Sequence, residues 1–176
     1  LLSVVIPIYN EASCLSNLLA ELVPYCRERN WKLILVNDGS SDDTPAIMQQ
    51  YEGFQGVTYL HHKLNRGYGG ALKTGLLEAD TPYSLTMDAD GQHELSDIDA
   101  LLKITLEHEA DLLVGKRSGK EHSGTYRSIG KWVIRRFAAL LMPISISDLN
   151  SGFKLYDTQL VQRYLSICPD SMAFSD

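Results

Sequence analysis

Asp88 and Asp90, within the stretch LTMDADGQH at residues 85–93, are the side chains whose type and spacing point most directly to chemistry. Leu85, Thr86 and Met87 end an apolar run that starts near Tyr83 and reads as a buried strand. Side chains alternate along a strand, so residues i and i+2 share one face. The two carboxylates are thereby aimed together at a strand's C-terminal end, where open α/β sheets bind ligands. Paired carboxylates repel unless a cation lies between them. A hard divalent ion, Mg²⁺ or Mn²⁺, shared with phosphate oxygens suits such an all-oxygen site. Taken alone, the motif favours an ordinary Asp-rich turn after a strand; the turns after the neighbouring strands reverse that.

The first strand ends in Pro7-Ile8-Tyr9-Asn10-Glu11, which offers a ring, an amide and a carboxylate. The second ends in Asp38-Gly39-Ser40-Ser41-Asp42-Asp43, the fourth in Asp88 and Asp90 with Gln92 and His93 beyond, and the fifth in Lys116-Arg117. Acidic turns and one basic turn around a single crevice describe a metal–phosphate site with a pocket for an organic group. Each turn has a plainer explanation, since Asp-Gly-Ser is ordinary turn chemistry and Glu11 favours a helix N-terminus. Their coincidence at one end of four strands is harder to dismiss. The glycine-rich stretch NRGYGGALKTG at residues 65–75 is neither a P-loop nor a dinucleotide fingerprint, because Leu72 stands where a glycine or small residue is needed. It can present amides to an anion or let a helix pack closely on a sheet, and the residues leave both open.

The elements that must position these turns alternate. Residues 3–9, 32–37, 57–61, 83–87 and 111–115 read as strands. Leu15, Leu18, Leu19, Leu22 and Cys26 recur at helical spacing, Thr44-Pro45 reads as a capped helix start, and residues 70–79 form a short helix. A further helix opens at Ser96, with Ile98, Leu101, Leu102 and Leu106 as its apolar face. Such a series predicts an α/β fold: a Rossmann-like, mainly parallel sheet with helices on both faces. The 176 residues fit one domain, 1–176, which begins inside a strand and reads as a truncated piece of a longer chain. A net charge of −6 argues against nucleic acid as a partner. The three cysteines, Cys14, Cys26 and Cys168, form no metal pattern and read as reduced thiols. No apolar run reaches the ~18 residues of a membrane span.

PIYNE, VNDGSSDDT, NRGYGGALKTG, MDADGQH and GKR stand in the order and spacing of glycosyltransferase family 2, and from residue 3 to residue 174 the chain resembles that family of inverting GT-A enzymes. MDADGQH followed by DLNSGFKLY is most similar to its polyprenyl-phosphate branch, which includes dolichyl-phosphate mannosyltransferases and undecaprenyl-phosphate sugar transferases. The resemblance implies transfer from a nucleoside-diphosphate sugar to a polyprenyl-phosphate lipid at the cytoplasmic face of a membrane. It implies that Pro7, Tyr9, Glu11 and Asp38 hold the nucleotide, with Asp88 at the diphosphate. Asp88 and Asp90, with Gln92 as a third candidate, would hold Mg²⁺ or Mn²⁺. Lys116 and Arg117 would lie near the diphosphate or acceptor phosphate, and Asp148 on the acceptor side. Asp148, Asp90 and Arg117 are the candidate catalytic residues. The acidic pair that serves as base in sugar- and protein-modifying members has no clear equivalent here, and an ionised phosphate acceptor hardly needs one. The transmembrane helices of many relatives, or further catalytic-domain residues, would be expected beyond residue 176. A cell-wall or soluble glycan acceptor is the nearest alternative, followed by a non-catalytic nucleotide-sugar-binding module. A homo-oligomer is compatible with the sequence, which does not fix the oligomeric state, the sugar or the base.

Residues 127–142 (RSIGKWVIRRFAALLM) pattern as a helix. At 100° per residue, Arg127, Lys131 and Arg135 line one stripe, while Ile129, Trp132, Val133, Phe137 and Leu140 face the other way with Arg136 among them. A surface helix packed on the sheet explains this, and so does a helix lying in lipid headgroups; a lipid-phosphate acceptor favours the second. Each basic residue near an anionic surface contributes about 1 kcal/mol, and salt screens it. Replacing Arg127, Lys131 and Arg135 with Gln is therefore expected to lower binding to anionic vesicles at low salt while sparing nucleotide affinity. Cosedimentation at two salt concentrations checks it, and unchanged binding would return the segment to a packed surface helix.

Overall fold

The computed structural model describes residues 1–91, 93–115, 151–168 and 170. Gln92, Lys116, Arg117, Asp148 and the expected helix over 127–142 lie outside those residues. Strand β1 (Leu2–Ile8) is buried along its whole length, as an unbroken apolar run requires of a strand covered on both faces. Helix α1 (Ala12–Glu28) follows and buries Leu15, Leu18, Leu19, Leu22 and Cys26, the positions set by its helical spacing. Fully burying side chains of this kind stabilises by about 1.5–3 kcal/mol each. Then come β2 (Lys32–Asn37), α2 (Thr44–Gln49), β3 (Val57–His61), α3 (Tyr68–Glu78), β4 (Tyr83–Thr86), α4 (Leu95–His108) and β5 (Leu112–Val114). The described chain closes with β6 (Lys154–Asp157), α5 (Thr158–Tyr164) and a short 3-10 turn.

Among the described residues the strands form one sheet of six, in the order β3-β2-β1-β4-β6-β5. The first four strands are parallel, and β6 runs antiparallel to both of its neighbours. Helices α1, α2 and α4 share one face of the sheet with Ile6, Ile8, Leu35 and Leu85. Helix α3 packs on the other face against Val5, Ile34 and Val36, with Leu165 and Val161 beside it. The chain therefore steps outward from β1 to β3 under one face and returns to β4 across the other. That reversal opens a crevice at the C-terminal ends of β1 and β4, the switch point where such sheets bind ligands.

Two local expectations are corrected, and two elements are additional. Leu106 is 46% exposed and Thr105 takes the buried place on α4, which turns the buried stripe by one residue. Thr44 lies inside α2 with Asp43 at the cap position, and the Thr44 hydroxyl instead accepts the Glu11 amide at 3.0 Å. Strand β6 and helix α5 were not foreseen; β6 is four residues long and adopts its place only through pairing with β4 and β5.

Close packing is the role of one glycine in the 65–75 stretch. A methyl group on Gly75 would collide with Val5 and crowd Val36, so α3 lies deeper on the sheet than any side chain at 75 allows. Gly75→Ala is expected to cost about 1–3 kcal/mol through overpacking. Val5→Ala in the same chain should recover part of that loss, a coupling that urea unfolding of the four-member cycle measures.

Candidate active site

The turns after β1, β2 and β4 converge on one cavity of about 360 Å³. It is lined by Pro7 at the end of β1, Tyr9 and Glu11 from the turn that follows, Asp38 from the second turn, and Asp88, Ala89 and Asp90 from the third. Every candidate site residue among the described residues thus faces the same space. Asn65, Tyr68 and Ala71 from the glycine-rich stretch complete the wall. These three were not singled out from the sequence, although the phenol of Tyr68, in a stretch otherwise made to pack, was a visible signal.

Local hydrogen bonds hold the first two turns together. The Asn10 side chain accepts the Ser41 amide at 2.8 Å, and the Asn10 amide donates to the Ser40 hydroxyl at 3.0 Å. Asp42 accepts the Ala12 amide at 3.2 Å and the Thr44 amide at 3.0 Å. Partial burial opposes ionisation of Asp42, but the bonds from Thr44 and Ala12 outweigh it and hold the carboxyl below its usual range. Asp42 therefore fastens loops together, and within the acidic run Asp38 is the residue that reaches the cavity. Gly39 stands at φ +72°, where a Cβ would lie 2.8 Å from the Asn65 amide nitrogen; the glycine lets the second turn press against the stretch that follows β3.

Cys14 joins the first and third turns. Its thiol donates to the Glu11 carboxylate at 3.2 Å and lies 3.3 Å from the Ala89 carbonyl. Burial, and after it the Glu11 carboxylate, push the thiol above its ordinary value, so it stays a neutral donor. The Tyr68 hydroxyl donates to Asp88 Oδ1 at 2.8 Å. On its other side the Asp88 carboxylate lies directly against Gly152, whose carbonyl accepts the Thr86 hydroxyl at 2.9 Å. Gly152 belongs to the stretch whose leading residue, Asp148, was expected on the acceptor side; its own place is beside Asp88. The amide of Gly70, near the start of α3, donates to the Asp170 carbonyl at 2.8 Å, so that amide is used within the protein.

Among the described residues, no group of three or more His, Cys, Asp or Glu is gathered to hold a metal by itself. Asp88 and Asp90 line one cavity and supply only carboxylate oxygens. That donor set fits a hard cation whose other ligands are phosphate oxygens and water, the way Mg²⁺ is commonly held, rather than a cage made by protein alone.

The family model described as glycosyl transferase family 2 matches residues 3–165. This chain belongs to glycosyl transferase family 2. Among its relatives in sequence is the dodecaprenyl-phosphate galacturonate synthase of Rhizobium johnstonii, 30% identical over 92% of this chain and 49% of that protein. A dolichyl-phosphate beta-glucosyltransferase of Trichomonas vaginalis is also 30% identical, over 88% of this chain and 52% of that one. The chain thus spans about half the length of these curated relatives. Glucosyl-3-phosphoglycerate synthase from Mycobacterium tuberculosis, solved with Mn²⁺ and uridine-diphosphate-glucose, superposes with a TM-score of 0.69 over 90% of this chain and 56% of that one, at 22% identity. That likeness establishes the GT-A fold of the family 2 chain.

The contact between Asp88 and Gly152 yields a test. A methyl group at 152 has to displace the Asp88 carboxylate and break its hydrogen bond from Tyr68, so Gly152→Ala should move Asp88 at a cost of about 1–3 kcal/mol in stability. Supports of metal-binding side chains typically matter 10–100-fold in metal affinity. Titration of Mn²⁺ in the presence of a nucleoside diphosphate should show a loss of at least about tenfold.

Proposed function

We propose that this chain is the catalytic domain of a transferase that moves a sugar from a nucleoside-diphosphate sugar to a polyprenyl-phosphate lipid. One observation carries the reading: a single cavity joins a buried carboxylate, Asp38, to the Asp88 and Asp90 pair across the end of β1. Strands β2 and β4 are two strand spacings apart, about 10 Å, which leaves room for a nucleoside between an acceptor for its polar groups and carboxylates for its diphosphate. The names of the curated relatives, which couple a sugar to dodecaprenyl or dolichyl phosphate, support the acceptor class. Those names are galacturonate and glucosyl, and they lend nothing to a mannosyl donor.

A divalent ion bound by Asp88 and Asp90, and by Gln92 if it reaches them, would offset charge on the diphosphate as it leaves. The Mn²⁺ bound with uridine-diphosphate-glucose in the mycobacterial synthase supports that choice of ion. Tyr9 and Pro7 would flank the nucleoside, and Asp38 would accept from it. Tyr68 holds Asp88 on one side and Gly152 confines it on the other, so the carboxylate keeps one orientation. In the reaction, a phosphate oxygen of the acceptor forms a bond to the anomeric carbon as the bond from that carbon to the diphosphate breaks, which inverts the centre. Lys116 and Arg117 would hold the two anionic reactants together, and alignment supplies much of the acceleration. Asp148 would orient the acceptor. The same reading sets the domain against the cytoplasmic face of the membrane that holds the acceptor, with residues 127–142 as its contact. Among the described residues, no helix is long and apolar enough to cross a membrane.

Transfer of labelled sugar from a panel of nucleoside-diphosphate sugars into an organic-extractable polyprenyl-phosphate product tests the activity; no product with any donor would overturn it. Binding is tested separately. A nucleoside diphosphate at a hundred times its Kd should stabilise the protein by about 2.7 kcal/mol in the presence of Mn²⁺. Asp88→Asn and Asp90→Asn should keep the unliganded melting temperature and lose the metal-dependent part of that gain. Two variants that respond as the parent does would remove the metal from this site.

A further inference from the structure

Asp38 is only 2% exposed, and the way it is held goes beyond what a nucleoside contact needs. Its Oδ1 accepts two hydrogen bonds, from the Nδ1–H of His62 at 2.7 Å and from the Arg66 amide at 2.9 Å. The far side of the imidazole is held as well: Nε2 lies 2.9 Å from the Thr74 hydroxyl, itself 3.0 Å from the Gly70 carbonyl in α3. The buried His62 ring therefore spans from the end of β2 to α3. Among the described residues none donates to Oδ2 of Asp38, and only the Thr105 hydroxyl is both sealed from solvent and without a partner. Since Asp38 lines the cavity, Oδ2 is the oxygen open to it.

The neighbouring histidine does the same for the preceding residue. His61 Nδ1 lies 2.9 Å from Nδ2 of Asn37, whose Oδ1 accepts the Ser40 amide at 2.9 Å. Consecutive side chains at a strand end point to opposite faces. Two adjacent rings at the end of β3 thus take hold of two consecutive side chains at the end of β2, and neither histidine lines the cavity.

We infer that His62 is a positioning residue for the donor nucleoside: by engaging Oδ1 it fixes the rotation of the Asp38 carboxylate and leaves Oδ2 as one aimed acceptor. Carboxylate rotation is intrinsically broad, so an unheld Asp38 would present either oxygen or neither. An acceptor fixed in a buried wall selects ligands that bring an N–H or O–H donor to it, because a ligand lacking one leaves Oδ2 without a partner. This inference rests on the nucleotide-sugar reading above and adds to it a residue outside the cavity wall.

Replacements that keep one ring nitrogen's role at a time test it. His62→Asn places an amide where Nδ1 stands and restores the donor to Asp38, whereas His62→Gln reaches toward Thr74 and withdraws it. Calorimetry with free nucleoside and with the corresponding nucleoside diphosphate, with and without Mn²⁺, should give a loss of about tenfold or more for the Gln variant. The loss should be equal for both ligands and independent of the metal, and the Asn variant should recover most of it. Thr74→Val, which frees the far side of the ring and keeps its volume, should weaken the same ligands by a smaller factor. A Gln variant that binds as the parent does would overturn the inference, as would a loss seen only with Mn²⁺. If the Gln variant does not fold, Thr74→Val decides, and unaltered affinity there overturns it. A parent that binds no nucleoside diphosphate sinks the transferase reading instead, an outcome distinct from parent binding with indifferent variants.

Discussion

The depth at which α3 lies on the sheet, set by contact of Gly75 with Val5 and Val36, determines much of what surrounds the cavity. A helix held that close brings Thr74 within reach of His62 on one turn, and Tyr68 within reach of Asp88 at its start. Protein interiors are packed densely enough that such a position is not adjustable by small amounts. The cavity wall inherits this rigidity, because one helix touches the supports of carboxylates from two different strands. Packing in the core and the geometry of the site are in this sense one constraint.

Acidic residues in the turns divide by environment rather than by type. Asp42 takes backbone amides from both flanking loops and ties them, while Asp38, four residues earlier, is buried with one oxygen engaged and one open. Desolvating a carboxylate is costly unless it is hydrogen-bonded. The His62 ring and the Arg66 amide answer that cost for Asp38. Glu11 has its own neighbour in Cys14, whose neutral thiol also reaches the backbone beside Asp90. Asp38, Glu11 and Asp88 are thus each tied to a different donor, which holds like charges apart around the cavity at fixed positions.

The parallel half of the fold was legible because β1 and β2 are apolar runs and α1 has a helical stripe; β2 has its expected bounds, and β1 lies one residue before the expected 3–9. What failed was decided by tertiary contact. Thr44 looks like a cap, yet its hydroxyl serves an amide 33 residues away. Leu106 fits the stripe of α4 by period, yet the packing of that helix buries Thr105. Strand β6 takes its place by antiparallel pairing between β4 and β5, a contact that nothing in its own residues announces. Within the site, the carboxylates were legible by type and by their place after strands, whereas His62 was not: nothing local separates a histidine that holds another side chain from one left in solvent. Gly152 was visible as part of a motif, but only its contact with Asp88 shows what the missing side chain makes room for.

The placement of β6 has a consequence for the order of assembly. Strand β5 precedes β6 in the chain, yet its only sheet partner among the described residues is β6, which sits between β5 and β4. A chain growing from its N-terminus can pair β1 to β4 while a slot stays open beside β4. The strand that fills the slot brings Gly152 to Asp88, closing a contact between Thr86 and Gly152 that spans 66 residues. Contacts of such separation form late, because loop closure is costly before it is rewarded. Insertion of β6 and completion of the Asp88 environment are then a single event, because the residue that confines the Asp88 carboxylate arrives with that strand.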